Sequence, residues 1–142
     1  MSNFRDVTDS FAVSPQISLE DVKLAAEQGF KAIICNRPDG EDSGQLSADD
    51  IASACAGNAL AFTHIPVTGG VSQTQVDQMA AALNAASGPV LAYCRSGTRS
   101  TNLWAMATAS NGSDAEALVQ AAAGAGYDLS GLSATLRALA AR

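Results

Sequence analysis

Three times in this chain a short apolar run gives way to a serine followed three residues later by Asp or Gln: Ser18–Asp21, Ser47–Asp50 and Ser72–Gln75. A serine ahead of a helix accepts the amide of the third helical residue, whose own side chain returns the bond, so each pair reads as a helix start. The preceding runs, Phe11-Ala12-Val13, Lys31 to Cys35 and Ala61 to Val67, read as strands. A fourth, Pro89 to Tyr93, leads straight into Cys94. Gly29, Gly57 and Gly88 supply the stops. The unbroken apolar run before Cys35 is of the kind covered on both faces. Within the third helix Val76, Met79, Ala80 and Leu83 share one side. The pattern turns helical again from about Arg99, with Leu103, Trp104 and Met106 as core contacts. Ser113 with Glu116 opens a further helix over Ala115 to Ala125, and the tail from Ser133 forms the last.

Strands alternating with helices imply an α/β fold: a mainly parallel central sheet of about four to five strands, helices on both faces and right-handed crossovers. No linker divides the 142 residues, so one domain is expected, and 47% apolar against 15% charged residues is enough to bury a core. Ligands of such sheets bind beyond the carboxyl ends of the strands. That rule gathers the loops after Cys35, Val67 and Tyr93 around one cleft with Cys94 at its floor.

The segment Cys94-Arg95-Ser96-Gly97-Thr98-Arg99, followed by Ser100, is built to hold an anion. Gly97 lets successive N–H groups curl inward into a nest, and the helix behind it adds its unpaired amides and the positive end of its dipole. Arg99 and Arg95 supply full charge, and a planar guanidinium grips a tetrahedral oxyanion through two hydrogen bonds. Thiolates form more readily beside helix N-termini and cations, which makes a cysteine so placed an activated nucleophile. Cys35 and Cys55, by contrast, read as small packed core groups.

The net charge of −6 argues against nucleic acid and anionic membranes as partners. Yet Arg37, Arg95 and Arg99, three of only eight basic residues, fall in two of the cleft loops. A locally basic pocket in an acidic chain points to a small anionic substrate. The three cysteines have neither zinc nor Cys-x-x-Cys spacing, and His64 is the single histidine, so no metal site is expected. No Gly-x-Gly-x-x-Gly follows a strand and no Walker loop is present, so no cofactor is implied. The start Met1-Ser2-Asn3-Phe4-Arg5-Asp6 has no basic stretch followed by an apolar core, and with an odd number of spaced cysteines this places the chain in the cytoplasm.

Residues 94–99 resemble the active-site loops of rhodaneses and of cysteine-dependent phosphatases. With Arg37-Pro38-Asp39-Gly40-Glu41 and His64-Ile65-Pro66-Val67 in that order, the chain resembles more narrowly the phosphatase-like domain of the bacterial β-lactamase-hydrolase-like proteins, from about Phe11 to Leu132. The resemblance implies a cysteine-phosphatase-like fold with Cys94 as nucleophile. Some members of that family carry a metallo-β-lactamase-fold domain linked to sulfide metabolism, which these 142 residues do not contain.

Phosphatases of this kind place five residues between cysteine and arginine; here four separate Cys94 from Arg99, the spacing of many single-domain sulfurtransferases. Phosphate chemistry also asks for a general acid to protonate the leaving oxygen. At the position where dual-specificity phosphatases carry it, this chain has Thr68-Gly69-Gly70. Asp39 or Glu41 could substitute, or serve as turn residues or as partners of Arg37. The leading expectation is therefore sulfur transfer through a Cys94 persulfide, with Arg99 and the loop amides holding the donor. The alternative is phosphomonoester hydrolysis through a phosphocysteine, with Asp39 as acid and Ser100 aiding its breakdown. A third reading is an anion-binding domain without catalysis. His64 lines the cleft or bonds a backbone carbonyl. Arg37 is either a second anion contact or an ion-pair partner of Asp39 or Glu41. Ser96, Gly97 and Thr98 complete the cradle.

Overall fold

The computed structural model describes residues 3–142; Met1 and Ser2, on which the reading of a leaderless start partly rests, lie outside the described residues. Five strands form one sheet: β1 (Arg5–Thr8), β2 (Phe11–Ser14), β3 (Ala32–Cys35), β4 (Ala61–His64) and β5 (Val90–Tyr93), in the order β1-β2-β5-β3-β4. All neighbours run parallel except β1, which folds back antiparallel on β2. The helices are α1 (Leu19–Glu27), α2 (Ala48–Gly57), α3 (Gln73–Ala85), α4 (Thr98–Ser110), α5 (Ala115–Gly124) and α6 (Ser133–Ala140).

The chain moves one way across the sheet from β2 to β3 to β4, then steps back to place β5 between β2 and β3. Crossovers of one hand that run in opposite directions must cover opposite faces. Accordingly Ala12, Ile33, Cys35, Leu91 and Tyr93 pack with Val22, Ala25, Ile51 and Cys55 of α1 and α2. The alternate residues Val13, Ala32, Ile34, Val90 and Ala92 pack with Met79, Leu103, Leu118 and Leu136 of α3 to α6. Trp104 stacks on Phe11 with ring centroids 5.2 Å apart, and so belongs to the core.

The three serine-led helix starts are all present as reciprocal capping boxes. Three readings need correction. β1 is an additional strand: only Val7 of its four residues is buried, so it has no apolar run to betray it. The strand from Ala61 ends at His64, because Pro66 has no N–H to offer a ladder; even so, Ile65 N–H and Val67 N–H still donate to Cys35 O and Asn36 O. The cap of α5 is Asp114, whose carboxylate accepts Ala117 N–H, in place of Ser113. No helix among the described residues is long and apolar enough to cross a membrane.

Candidate active site

Cys94 leaves the central strand at its carboxyl end, held on one side by Cys94 N–H to Ser14 O (3.3 Å) and on the other by Asn36 N–H to Tyr93 O (2.8 Å). Its side chain is fully buried. The chain then turns through Arg95 and Ser96 to Gly97, the N-cap of α4, at φ +95°. Only a residue without Cβ holds that backbone cheaply. A Cβ there would also run into the Tyr127 ring, with Cζ at 2.9 Å. The curl points Gly97 N–H at Cys94 Sγ, 3.1 Å away. No side chain caps α4, so the first-turn amides at Arg99 and Ser100 have no intrahelical acceptor. Ser100 Oγ is buried beside them without a partner.

Two side chains brace the loop. Ser96 Oγ donates to Thr98 Oγ1 and accepts Thr98 N–H. Tyr127, from the turn after α5, donates its hydroxyl to Ser96 O at 2.9 Å while Arg5 lies over its ring at 5.7 Å. Tyr127 was not legible as a site residue, since it sits 31 positions from the carbonyl it holds. The only local signal is the Gly126-Tyr127 turn that ends the alanine-rich helix.

Arg99 ties the three loops together. Its Nη1 and Nη2 donate to Glu41 Oε2 and Oε1, each at 2.7 Å, and Nη1 also donates to Val67 O at 2.9 Å. Five N–H groups are fixed in the guanidinium plane. Three are thus spent on the loops after β3 and β4. Among the described residues nothing else of comparable geometry accepts from it, which leaves the Nε and outer Nη2 hydrogens, the side-on edge. The Arg99 pKa is raised, by Glu41 first and by the Cys94 thiol as a lesser cause. Glu41 in this arrangement orients Arg99 and leaves a two-donor fork free.

Glu41 is shared with Arg37, whose Nε donates to Oε1 at 2.8 Å. Arg99, and after it Arg37, hold the Glu41 carboxyl well below its usual range, at about 2, against the opposing effect of burial. Arg37 does not line the cleft as an anion contact. It is 3% exposed, and its two terminal nitrogens donate to Gln16 Oε1 (2.9 Å) and Asp42 Oδ2 (2.7 Å). A buried guanidinium needs partners on every side, and this one finds Glu41 and Asp42. Asp39 is not among them: its Oδ1 accepts Ala48 N–H at 2.8 Å at the head of α2. His64 Nε2 lies 2.9 Å from Arg37 O, the backbone-bonding option of the two expected for it. Arg95 points outward, 66% exposed, with Nε 3.7 Å from Asp42 Oδ2.

Cys35 and Cys55 are buried in the core between the sheet and α1 and α2. Burial pushes the Cys35 thiol up, and that of Cys55 up to about 11, with no guanidinium among the causes. No group of three or more His, Cys, Asp or Glu able to hold a metal occurs among the described residues.

Cys94, Arg99, Gly97, Ser96, Thr98 and Ser100 therefore form one cradle. Glu41, Val67 and Tyr127 steady it from outside, and Arg37, Asp39 and His64 organise the loop after β3. Comparison with known proteins agrees with the fold. A "Beta-lactamase hydrolase-like protein" of Xylella fastidiosa is 31% identical over 108 residues, 75% of this chain and 25% of that protein. The chain thus spans about a quarter of the length of such relatives. A crystal structure from Neisseria meningitidis Z2491, provisionally described as a phosphatase, superposes with a TM-score of 0.83 at 30% identity, covering 98% of this chain and 99% of the other. The active form of Tk-PTP shares the fold, with a TM-score of 0.73 at 18% identity over 99% and 97% of the two chains. The sequence pattern of the "Beta-lactamase hydrolase-like protein, phosphatase-like domain" family matches residues 3–113, and the chain belongs to that family.

Proposed function

We propose that this domain hydrolyses phosphomonoesters through a phosphocysteine on Cys94. The observation that carries the reading is the Gly97 N–H on Cys94 Sγ at the uncapped head of α4, whose first turn carries Arg99 with its Nε and outer Nη2 hydrogens free. Two or three phosphoryl oxygens take the amides of the loop and the Nε/Nη2 fork of Arg99, and charge building on them in the transition state meets donors already in place. Cys94 Sγ attacks phosphorus in line with the leaving oxygen. The buried Ser100 hydroxyl, without a partner of its own, is available to the sulfur as water displaces it in the second step. Membership of a phosphatase-like family and the likeness to phosphatase structures support this reading over the sulfur chemistry that the sequence put first.

One feature keeps sulfur transfer as the second reading: the short six-residue loop from Cys94 to Arg99. A persulfide needs less room above the cysteine than a phosphoryl group, and a departing thiolate or sulfite needs no proton. Three reduced cysteines fit either chemistry in the cytoplasm.

The test is turnover of an activated aryl phosphate, its inhibition by vanadate, and intact mass after exposure to thiosulfate, each with Cys94→Ser alongside. Phosphate release that vanadate blocks and Cys94→Ser lowers on the order of 10⁴-fold or more is expected for a covalent nucleophile. Added sulfur on Cys94 without phosphate release would replace this reading by the second. Equal behaviour of wild type and variant would reduce the domain to anion binding.

A further inference from the structure

A phosphocysteine mechanism has to dispose of the leaving oxygen, and each carboxyl group of the loop after β3 already has a partner. Asp39 faces the head of α2, accepting Ala48 N–H. Glu41 gives both oxygens to Arg99 and one of them to Arg37 as well. Asp42 lies between Arg37 at 2.7 Å and Arg95 at 3.7 Å. The remaining proton carriers are engaged with main chain: His64 Nε2 with Arg37 O, and the Tyr127 hydroxyl with Ser96 O. Burial, as the largest cause, raises the Tyr127 pKa and keeps that hydroxyl a phenol. Across the cleft the turn after β4 offers Thr68, Gly69 and Gly70. Among the described residues, each carboxyl of the loop after β3 already has a partner and the turn after β4 carries none, so neither loop facing the cradle offers a free acid to a leaving group.

Resting on the phosphoester reading, we propose that the site is confined to phosphoryl donors whose leaving oxygen departs unprotonated, namely acyl phosphates and aryl phosphates, and does not act on phosphates of alkyl alcohols. In the first step Cys94 thiolate forms the S–P bond as the P–O bond to the leaving group breaks, and that oxygen carries away the electron pair as carboxylate or phenolate. In the second, water attacks phosphorus, the S–P bond breaks, and the thiolate, inorganic phosphate and one proton are released. No redox partner enters. A positioned general acid contributes on the order of 10²–10⁴-fold, and that factor is what an alkoxide, a far stronger base than carboxylate or phenolate, would lack here. Carboxylates, titrating near ~4, and phenolates, near ~10, leave without it in that order of ease.

The experiment is kcat/KM, which reports phosphocysteine formation, for a series of substituted phenyl phosphates together with acetyl phosphate and glycerol 2-phosphate. With the full charge left on the departing oxygen, kcat/KM rises by up to about tenfold for each unit fall in the pKa of the leaving group. Acetyl phosphate heads the series and glycerol 2-phosphate stays at background. The same slope is expected for Asp39→Asn, which keeps the acceptor for Ala48 N–H but has no proton to give. A slope below about twofold per unit, or clear hydrolysis of the glycerol ester, would overturn the proposal while leaving the phosphoester reading intact. A slope that steepens in Asp39→Asn would overturn it too and name Asp39 as the acid. No turnover of any member, acetyl phosphate included, would remove the phosphoester reading and the proposal with it.

Discussion

Helices α1, α2 and α3 open on Ser18, Ser47 and Ser72, each closing a reciprocal box with the third helical residue, whereas α4 opens on Gly97 with no side chain over its amides. All four follow a strand of the same sheet. Where serine stands, the free N–H groups of the first turn are satisfied from within and the helix end is finished. Where glycine stands they are left for something else, and one of the amides of the turn already points at Cys94 Sγ. The α6 helix also starts without a side-chain cap, but its chain runs on from the tight turn Ser130–Leu132 and meets no cysteine. The same motif of strand, turn and helix is thus closed by a serine three times and left open beside Cys94 once, and the residue at the cap decides which.

The sharpest way to break that contrast is to close the open end. Gly97→Ala puts a Cβ at φ +95°, where an L-residue pays about 1–2 kcal/mol, and drives it into the Tyr127 ring, with Cζ at 2.9 Å. Adding the cost of overpacking, the variant should lose roughly 2–4 kcal/mol in urea unfolding and most of its phosphate affinity. Tyr127→Phe alone should cost about 1 kcal/mol for the bond to Ser96 O. In the double variant the two losses should fall short of their sum by on the order of 1 kcal/mol, because the hydroxyl that meets the new methyl group has gone. Strict additivity would mean that the Tyr127 hydroxyl is not what the new methyl group meets.

The contrast also explains what could be read from the chain beforehand. Ser18, Ser47 and Ser72 signal helix starts within four residues of sequence, and alternating apolar runs between them are enough to imply parallel strands and both helical layers. The cradle from Cys94 to Ser100 is equally local. What brings it to life is not: Glu41 meets Arg99 across 58 positions, and Tyr127 meets Ser96 across 31. Side-chain pairs of that separation leave no periodicity behind. Arg37 stayed open between anion contact and ion-pair partner for the same reason, since only the fold brings Gln16, Glu41 and Asp42 around it. β1 escaped because Arg5, Asp6 and Thr8 are exposed at the sheet edge, where a polar strand is the usual protection against pairing with another chain.

Glu41 allows the comparison to be sharpened from the rim. Its carboxyl titrates at about 2 in the folded chain against 4.5 ordinarily, with Arg99 the first cause. A folded value below the unfolded one means that the contribution is present above about 4.5 and is lost as pH falls towards 2. Glu41→Gln should therefore lower stability near neutral pH by about 1–2 kcal/mol, allowing for solvent screening, and the gap to wild type should close across that window. Because Val67 O still holds Nη1, the variant should keep kcat within a few-fold while KM for an aryl phosphate rises. An unchanged KM would show that the free edge of Arg99 needs no help from Glu41 to face the sulfur. A gap between the two proteins that stays constant down to pH 2 would show that the ion pair contributes nothing through its charge.

The smallest effect tests the finished ends. Ser47 Oγ accepts Asp50 N–H at 3.1 Å, and Asp50 Oδ2 accepts Ser47 N–H at 3.4 Å. Ser47→Ala removes the shorter of these bonds and should cost about 1 kcal/mol, a fall of roughly 3–5 °C in Tm for a chain of this size. Its kcat and KM should match wild type, because the head of α2 is bonded to Asp39 and, among the described residues, makes no hydrogen bond to the cradle from Cys94 to Ser100. A loss of activity at an unchanged Tm would mean that the head of α2 takes part in the site. The division between capped helices that hold the fold and the open head of α4, proposed to hold the anion, would then have to be redrawn around Asp39 and Ala48.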